Sequence, residues 1–165
     1  MRRFEVRRAR PGDAAGIADM FNALDREDLG DAALCPFTPQ IVLRDAVGEA
    51  SLLATEVAVA DGNVIGAAAH NLAYHAETAR PARWLEMLYV VPEWRKAGVG
   101  RALMHAVSRA ALAGGCDAVF WAVRRHNDGG ADFYDRLGAG DEDANVRVLL
   151  DDALRRLTGE IAEGQ

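Results

Sequence analysis

The sequence predicts an α/β (α+β) fold, with a mixed, mostly antiparallel central sheet flanked by helices, as a single domain over residues 1–165. Three observations predict it. The length and the half-hydrophobic composition suit one domain that builds its own core. The stretch 51–74 reads as two strands around Asp61-Gly62, a tight-turn pair that joins antiparallel neighbours. The stretch 83–123 reads as strand, helix, strand, the crossover that a parallel pair requires.

The elements follow in order. Phe4 to Ala9 is a strand, because Phe4 and Val6 alternate with Arg3, Glu5 and Arg7. Pro11, Gly12 and Asp13 start a helix whose apolar residues Ile17, Met20, Phe21 and Leu24 recur at helical spacing up to about Asp25. Residues 26–36 are acidic and read as irregular. Thr38-Pro39 is a cap and first-turn pair for a short helix that stops at Gly48. Ser51 to Ala60 and Val64 to Tyr74 form the hairpin, and residues 76–82 a loop. Arg83 to Val91 is almost continuously apolar, as suits a central strand covered on both faces. A helix from about Gly98 to Leu112 ends at Gly114-Gly115. Then come a strand, Ala118 to Val123, and a loop, Asn127 to Gly130. A short helix, Ala131 to Leu137, a turn at 140–145, a strand, Val146 to Leu150, and a final helix, Asp151 to Leu157, complete the chain.

The charge balance excludes some functions. There are 19 Lys and Arg against 25 Asp and Glu, a net charge of −6, which argues against broad nucleic-acid binding. Cys35 and Cys116 lie far apart, outside any Cys/His cluster, which excludes a disulfide scaffold and a structural metal. No apolar run reaches the ~18 residues of a membrane span, and Met1 to Pro11 lacks the apolar stretch of a secretory leader. The expectation is a cytoplasmic protein without nucleic-acid or membrane partners.

The stretch that carries chemistry is Arg95-Lys96-Ala97-Gly98-Val99-Gly100-Arg101, between a buried strand and a long helix. A helix start presents unpaired N–H groups and the positive end of its dipole. Glycines there let an anion approach the backbone, and three cations surround it, so the loop is a pyrophosphate cradle. It is not the phosphate loop of an NTPase, since the Lys-Ser/Thr after the second glycine is missing. Nor is it the dinucleotide fingerprint, which needs a third glycine and follows the first strand.

The run Leu85-Glu86-Met87-Leu88-Tyr89-Val90-Val91-Pro92-Glu93-Trp94 leading into that loop resembles the first motif of the GNAT superfamily of N-acetyltransferases. Downstream, Asn127 followed by Phe133-Tyr134-Asp135-Arg136-Leu137-Gly138-Ala139 resembles the second. The likeness extends from Phe4 to about Leu157 and is greatest to the diamine (spermidine/spermine) acetyltransferase branch. It implies acetyl-CoA as cosubstrate, no metal, a small-molecule or peptide amine as acceptor, and a homodimer. It implies that acetyl-CoA lies between two splayed parallel strands, 83–91 and 118–123. The backbone of Leu88, Tyr89 and Val90 would meet the pantetheine arm. Arg95, Lys96, Ala97, Gly98, Val99, Gly100 and Arg101 would hold the pyrophosphate. Asn127 and Gly130 would lie along the pantetheine, with Tyr134 at the sulfur.

An amine of pKa about 10 is protonated at neutral pH, so acetyl transfer to it needs a base. Glu86, an acid in an apolar strand, is the candidate, acting through water with its pKa raised by desolvation. The alternative for it is a structural ion pair with Arg83 or a hairpin arginine. Tyr134 is the candidate acid toward the CoA thiolate. His70, His75 and His105 read as surface or satisfied residues, and His126 sits beside Asn127. Glu27, Asp28 and Asp31 offer acids for a cationic acceptor. Two departures from the diamine branch, His75 and Met87 where that branch carries acids, weigh against a polyamine. Ala97 replaces a usual glycine, a mild change where φ is negative. A catalytically inactive acyl-CoA-binding or regulatory module is the alternative function, since fold alone does not fix activity.

Overall fold

The structure is a computed structural model and describes residues 2–142 and 144–158. Five strands form one sheet in the order β1-β2-β3-β4-β5. They are β1 (Glu5–Arg8), β2 (Ala54–Ala60), β3 (Asn63–His75), β4 (Arg80–Val90) and β5 (Ala118–Phe120). All neighbours pair antiparallel except β4 and β5, which run parallel. The helices are α1 (Ala14–Leu29), α2 (Pro39–Asp45), α3 (Val99–Ala113), α4 (Asp128–Asp135) and α5 (Asp151–Leu157).

Two cores form on the two sheet faces. On one, α1 and α2 bury Ile17, Phe21 and Val42 against Val57, Ala67, Ala69 and Tyr89. On the other, α3 buries Val99, Leu103 and Val107 against Ala58, Ala68 and Leu85. The alternation that makes a two-faced sheet is therefore also what holds the helices on both sides. Small residues dominate the middle of β3, and Gly66 is required there: a Cβ would stand 2.9 Å from the Tyr89 carbonyl oxygen.

Local chemistry sets the boundaries. Asp13 accepts two hydrogen bonds from Arg7, at 2.7 and 2.9 Å, and one from the Arg10 N–H, at 2.7 Å. This ties the start of α1 to β1, and the Arg7 guanidinium holds the Asp13 carboxyl below the ordinary range. Thr38 caps α2 as the sequence predicts, its hydroxyl accepting from the Ile41 N–H. The hairpin turns at Asp61-Gly62, both with positive φ.

Four expectations need correction. First, α1 runs four residues past Asp25, to Leu29, because its acidic end has tertiary partners. Asp25 accepts from the Cys35 N–H, and Asn22 forms a two-way pair with the Phe37 backbone. Second, β4 begins at Arg80, since the hairpin with β3 continues to the pair His75 and Arg80. Third, β5 ends at Phe120, because β4 and β5 pair only from Ala82/Ala118 to Trp84/Phe120 and then separate. Fourth, the strand expected at Val146 to Leu150 does not form: those residues carry no ladder and expose Val146, Val148 and Leu150. Of the turn placed before it, Asp143 lies outside the described residues.

Candidate active site

The separation of β4 from β5 opens a slot beyond Trp84 and Phe120. Val91 donates its N–H to Ile65 on β3, so strand alternation leaves Leu88 and Val90 facing the slot and Tyr89 in the β3 ladder. The Val90 carbonyl accepts from Arg95 Nε at 2.9 Å.

One residue re-phases β4. Ala69 pairs with Met87 and His70 with Leu85, leaving Glu86 as an extra, unopposed residue, a β-bulge. Leu85 packs on the α3 side, whereas Met87 and Tyr89 pack on the α1 side. Alternation from Leu85 puts Trp84 and Glu86 on the α1 side as well. Glu86 is exposed there, which corrects the expectation that the apolar strand would bury it. Among the described residues it makes no hydrogen bond or ion pair, so the alternative pairing with Arg83 does not form.

Tyr134, on α4, lies at the mouth of the slot, its ring 4.8 Å from Trp121 and 5.1 Å from Phe133. Burial and the charge of Asp28 push its phenol up to about 12. Asp28 reaches this region from the end of α1 and stands 3.7 Å from Arg124 Nε.

The loop before α3 has a backbone with several N–H groups left unpaired. Lys96 and Gly98 both take left-handed φ, 61° and 89°, and the first helical N–H with an acceptor is that of Ala102, bonded to the Gly98 oxygen. Among the described residues, the N–H groups of Lys96, Gly98, Val99, Gly100 and Arg101 find no protein acceptor. Alternating backbone hands followed by a helix start form a concave nest of donors. Its two glycines do different work. Gly98 is needed for its φ, with open space around it, whereas a Cβ on Gly100 would meet the Phe133 ring at 3.2 Å. Ala97 has no positive φ, so its replacement of glycine is unstrained; the left-handed turn falls on Lys96.

The three cations of the loop are not equivalent. Arg95 makes a two-pronged pair with Glu27 at 2.6 and 3.0 Å and lies over the Tyr89 ring. Arg101 donates to the Arg136 carbonyl at the end of α4. Lys96 is exposed and, among the described residues, has no side-chain partner. Asn127 caps α4, its Oδ1 accepting from the Gly130 N–H at 2.8 Å. Thus Asn127 and Gly130 are placed together, engaged with each other. An open groove of about 680 Å³ continues from Gly98 and Arg101 along α3, between Met104, His105, Trp121 and Leu137.

The histidines divide. His75 Nδ1 lies 3.1 Å from Asp117, which β5 follows directly, while His105 and His126 are exposed. His70 is neither surface nor satisfied: it is fully buried, and neither ring nitrogen has a partner. Burial and the nearby charges of Arg83 and Arg8 hold its pKa down at about 4. No cluster of three or more metal-ligating side chains occurs among the described residues.

Sequence reasoning missed the bulge, the double engagement of Arg95 and the packing role of Gly100. Only the last had a signal, the Phe-Tyr pair downstream.

Known proteins resemble this chain in sequence and fold. Residues 17–139 match the family described as the acetyltransferase (GNAT) family. A thialysine N-epsilon-acetyltransferase of Bos taurus is 30% identical, covering 94% of this chain and 97% of its own. An aminoglycoside N(6')-acetyltransferase type 1 of Stenotrophomonas maltophilia is 34% identical over 67% of this chain and 69% of its own. Among solved structures, an integron cassette protein from the mobile metagenome of V. cholerae superposes with a TM-score of 0.78 at 21% identity, covering 94% of this chain and 97% of that one.

Proposed function

The chain belongs to the GNAT acetyltransferase family and is an acetyltransferase; from that premise we propose that it is a single-domain N-acetyltransferase that moves the acetyl group of acetyl-CoA to a primary amine by direct attack in a ternary complex. The observation that carries the reading is the slot between β4 and β5, with a donor nest at one end, Tyr134 at its mouth and Glu86 on the adjoining face.

The residues present fit acetyl-CoA. The N–H groups of Lys96, Gly98, Val99, Gly100 and Arg101, without acceptors among the described residues, match a pyrophosphate together with the Lys96 ammonium, and the slot-facing backbone of Leu88 and Val90 matches an amide-bearing arm. Bound there, acetyl-CoA supplies an activated acetyl group. Glu86 takes, through water, the proton that the amine sheds as its nitrogen bonds the acetyl carbon. Tyr134 would offer its hydroxyl to the thiolate that leaves when the acetyl group is transferred. A phenol pushed up to about 12 stays protonated at working pH and presents its hydrogen to the sulfur. Complete transfer to a thiolate of ordinary pKa, about 8.5, is uphill by roughly three units, on the order of 4–5 kcal/mol. Tyr134 therefore stabilises the leaving thiolate mainly as a hydrogen-bond donor, and solvent completes the protonation.

The acceptor class follows the relatives only in outline: a small amine, as the names thialysine and aminoglycoside acetyltransferase describe for those proteins. We also place the protein in the cytoplasm as a homodimer. Free Cys35 and Cys116 suit a reducing compartment, and the exposed apolar residues from Val146 to Leu157 supply a contact surface.

The test is thiol release from acetyl-CoA over a panel of polyamines, lysine analogues, aminoglycosides and peptides. Release with one amine class, lost on Glu86→Gln, supports the reading. Tight acetyl-CoA binding without release from any amine favours an inactive acyl-CoA-binding module instead.

A further inference from the structure

The face that carries Glu86 continues onto the neighbouring strands. Asn71 on β3 lies opposite Trp84 on β4, and Trp84 lies opposite Phe120 on β5. Ala69 packs on the α1 side, so Asn71, two residues on, shares that face. Val119 and Trp121 pack on the α3 side, which places Phe120 on the α1 side too. Asn71, Trp84, Glu86 and Phe120 are thus a contiguous floor beside the slot, and β2 ends before it reaches them, at the pair Ala54 and His70.

On that floor Asn71 Oδ1 is buried and, among the described residues, has no hydrogen-bond partner. A buried carbonyl oxygen left unpaired is costly, and a ligand donor there relieves it. Two carboxylates nearby already have cations: Glu27 is held by Arg95 and Asp28 stands against Arg124. Asp117 has His75 Nδ1 at 3.1 Å, and Met87, not an acid, follows Glu86. Glu86 is the acid of this four-residue floor, and among the described residues it has no cation partner. Polycations need several uncompensated acids, because each ammonium taken from water must be paired.

We propose that Asn71 is a specificity-determining residue of the acceptor site, its carboxamide oxygen taking a hydrogen bond from the acceptor beyond the reacting amine, so that the enzyme selects amines of net charge +1 over polycations. This rests on the acetyl-transfer reading above. The half-buried Trp84 and Phe120 rings supply the apolar walls for the stem between the two polar ends.

The experiment measures kcat and KM with thialysine, of net charge +1, and with spermidine, a polycation, using the full chain and saturating acetyl-CoA. The expected wild-type preference, as kcat/KM, is at least tenfold for thialysine. Asn71→Asp adds a second acid to the floor and narrows that ratio at least fivefold, through a lower KM for spermidine. Asn71→Leu raises KM for thialysine at least fivefold and leaves KM for acetyl-CoA unchanged, a split that general loosening of the sheet does not produce. Should Asn71→Leu not fold, Asn71→Asp decides alone. A wild-type preference for spermidine, or a ratio unchanged within twofold in Asn71→Asp, overturns the assignment while leaving acetyl transfer intact. Absence of turnover with both amines and with the wider panel overturns both.

Discussion

Tyr134, half-buried, and His70, fully buried, both have displaced pKa values, with different consequences. Tyr134 keeps its proton over the whole working range, as the donor role proposed for it requires. Tyr134→Phe keeps the ring packing on Trp121 and Phe133 but removes the donor. Loss of one preorganised donor to a developing anion is worth on the order of 10²–10³ in kcat where the site is dry; at this half-buried mouth we expect about 10–100-fold, with KM for acetyl-CoA unchanged. The wild-type rate should also show no alkaline fall from this group below pH 10, and a limb near 10 that disappears in Tyr134→Phe sinks the assignment. His70 reports on stability instead. Its folded pKa of about 4 lies below the unfolded value near 6.5, so the unfolded chain binds the extra proton between those limits. Stability is therefore complete above about pH 6.5 and falls as the pH drops toward 4, by on the order of 3 kcal/mol. Glu56, whose carboxyl burial pushes up, contributes with the reverse sign. The comparison is therefore the urea midpoint at pH 4.5 and 7 in the wild type and in His70→Leu, where the variant should lose most of the pH dependence.

At the level of elements, the loop into α3 and the strands around the slot were unequally legible. The loop was read correctly as a helix start with special backbone, because Gly98 and Gly100 are visible as residues. Their separate reasons were not visible, since one lies in a dihedral angle and the other in a ring thirty-three residues away. Gly98→Ala is expected to cost on the order of 1 kcal/mol in stability through its positive φ and to raise KM for acetyl-CoA severalfold. Gly100→Ala must displace Phe133, so it should perturb α4 and Tyr134 and lower kcat as well; kinetics and thermal melting of the pair separate the two effects. The bulge was illegible because Leu85, Glu86 and Met87 look alike under either register, and only the pairing partners on β3 show which residue is extra. The end of α1 was misread for a related reason. Asp25 read as the last helical residue and Glu27 and Asp28 as part of an irregular acidic segment until their partners Cys35, Arg95 and Arg124 arrive from distant sequence. The helix Asp151–Leu157 was predicted with its observed limits because its signals are local, with acids in the first turn and arginines in the last.

For the whole molecule, the β2–β3 hairpin and the parallel β4–β5 pair followed from hairpin and crossover signals, whereas the place of β1 beside β2 and the pairing of β3 with β4 emerge only in the structure. The segment before α5 is where that reasoning fails. Val146, Val148 and Leu150 alternate as a strand would, but a strand exists only with a partner, and 69–71% of each of these residues remains exposed. If this surface joins two copies, Val148→Asp with Leu150→Asp should shift the mass measured by light scattering from dimer to monomer and leave thermal melting of the core within a few degrees. A dimer that survives both changes removes this segment from the contact.

The bulge at Glu86 has a consequence for how this chain tolerates change in length. Below it, odd-numbered residues of β4 face α3; above it, even-numbered ones do. Removing Glu86 would leave Leu85 opposite His70 and Met87 opposite Ala69, so the strand would alternate regularly and Leu88 and Val90 would keep their place at the slot. The bulge is therefore the point where this strand can lose one residue without exchanging its inner and outer sides. A residue added between Met87 and Leu88 has no such outlet: every later position as far as Val90 would reverse, with Leu88 and Val90 turned toward β3 and Tyr89 in their place. A length-variant library of the β3–β4 hairpin, read by thermal melting, should show that difference directly, as folding that survives loss of residue 86 and single changes at residues 76–79 but fails with one residue added after Met87.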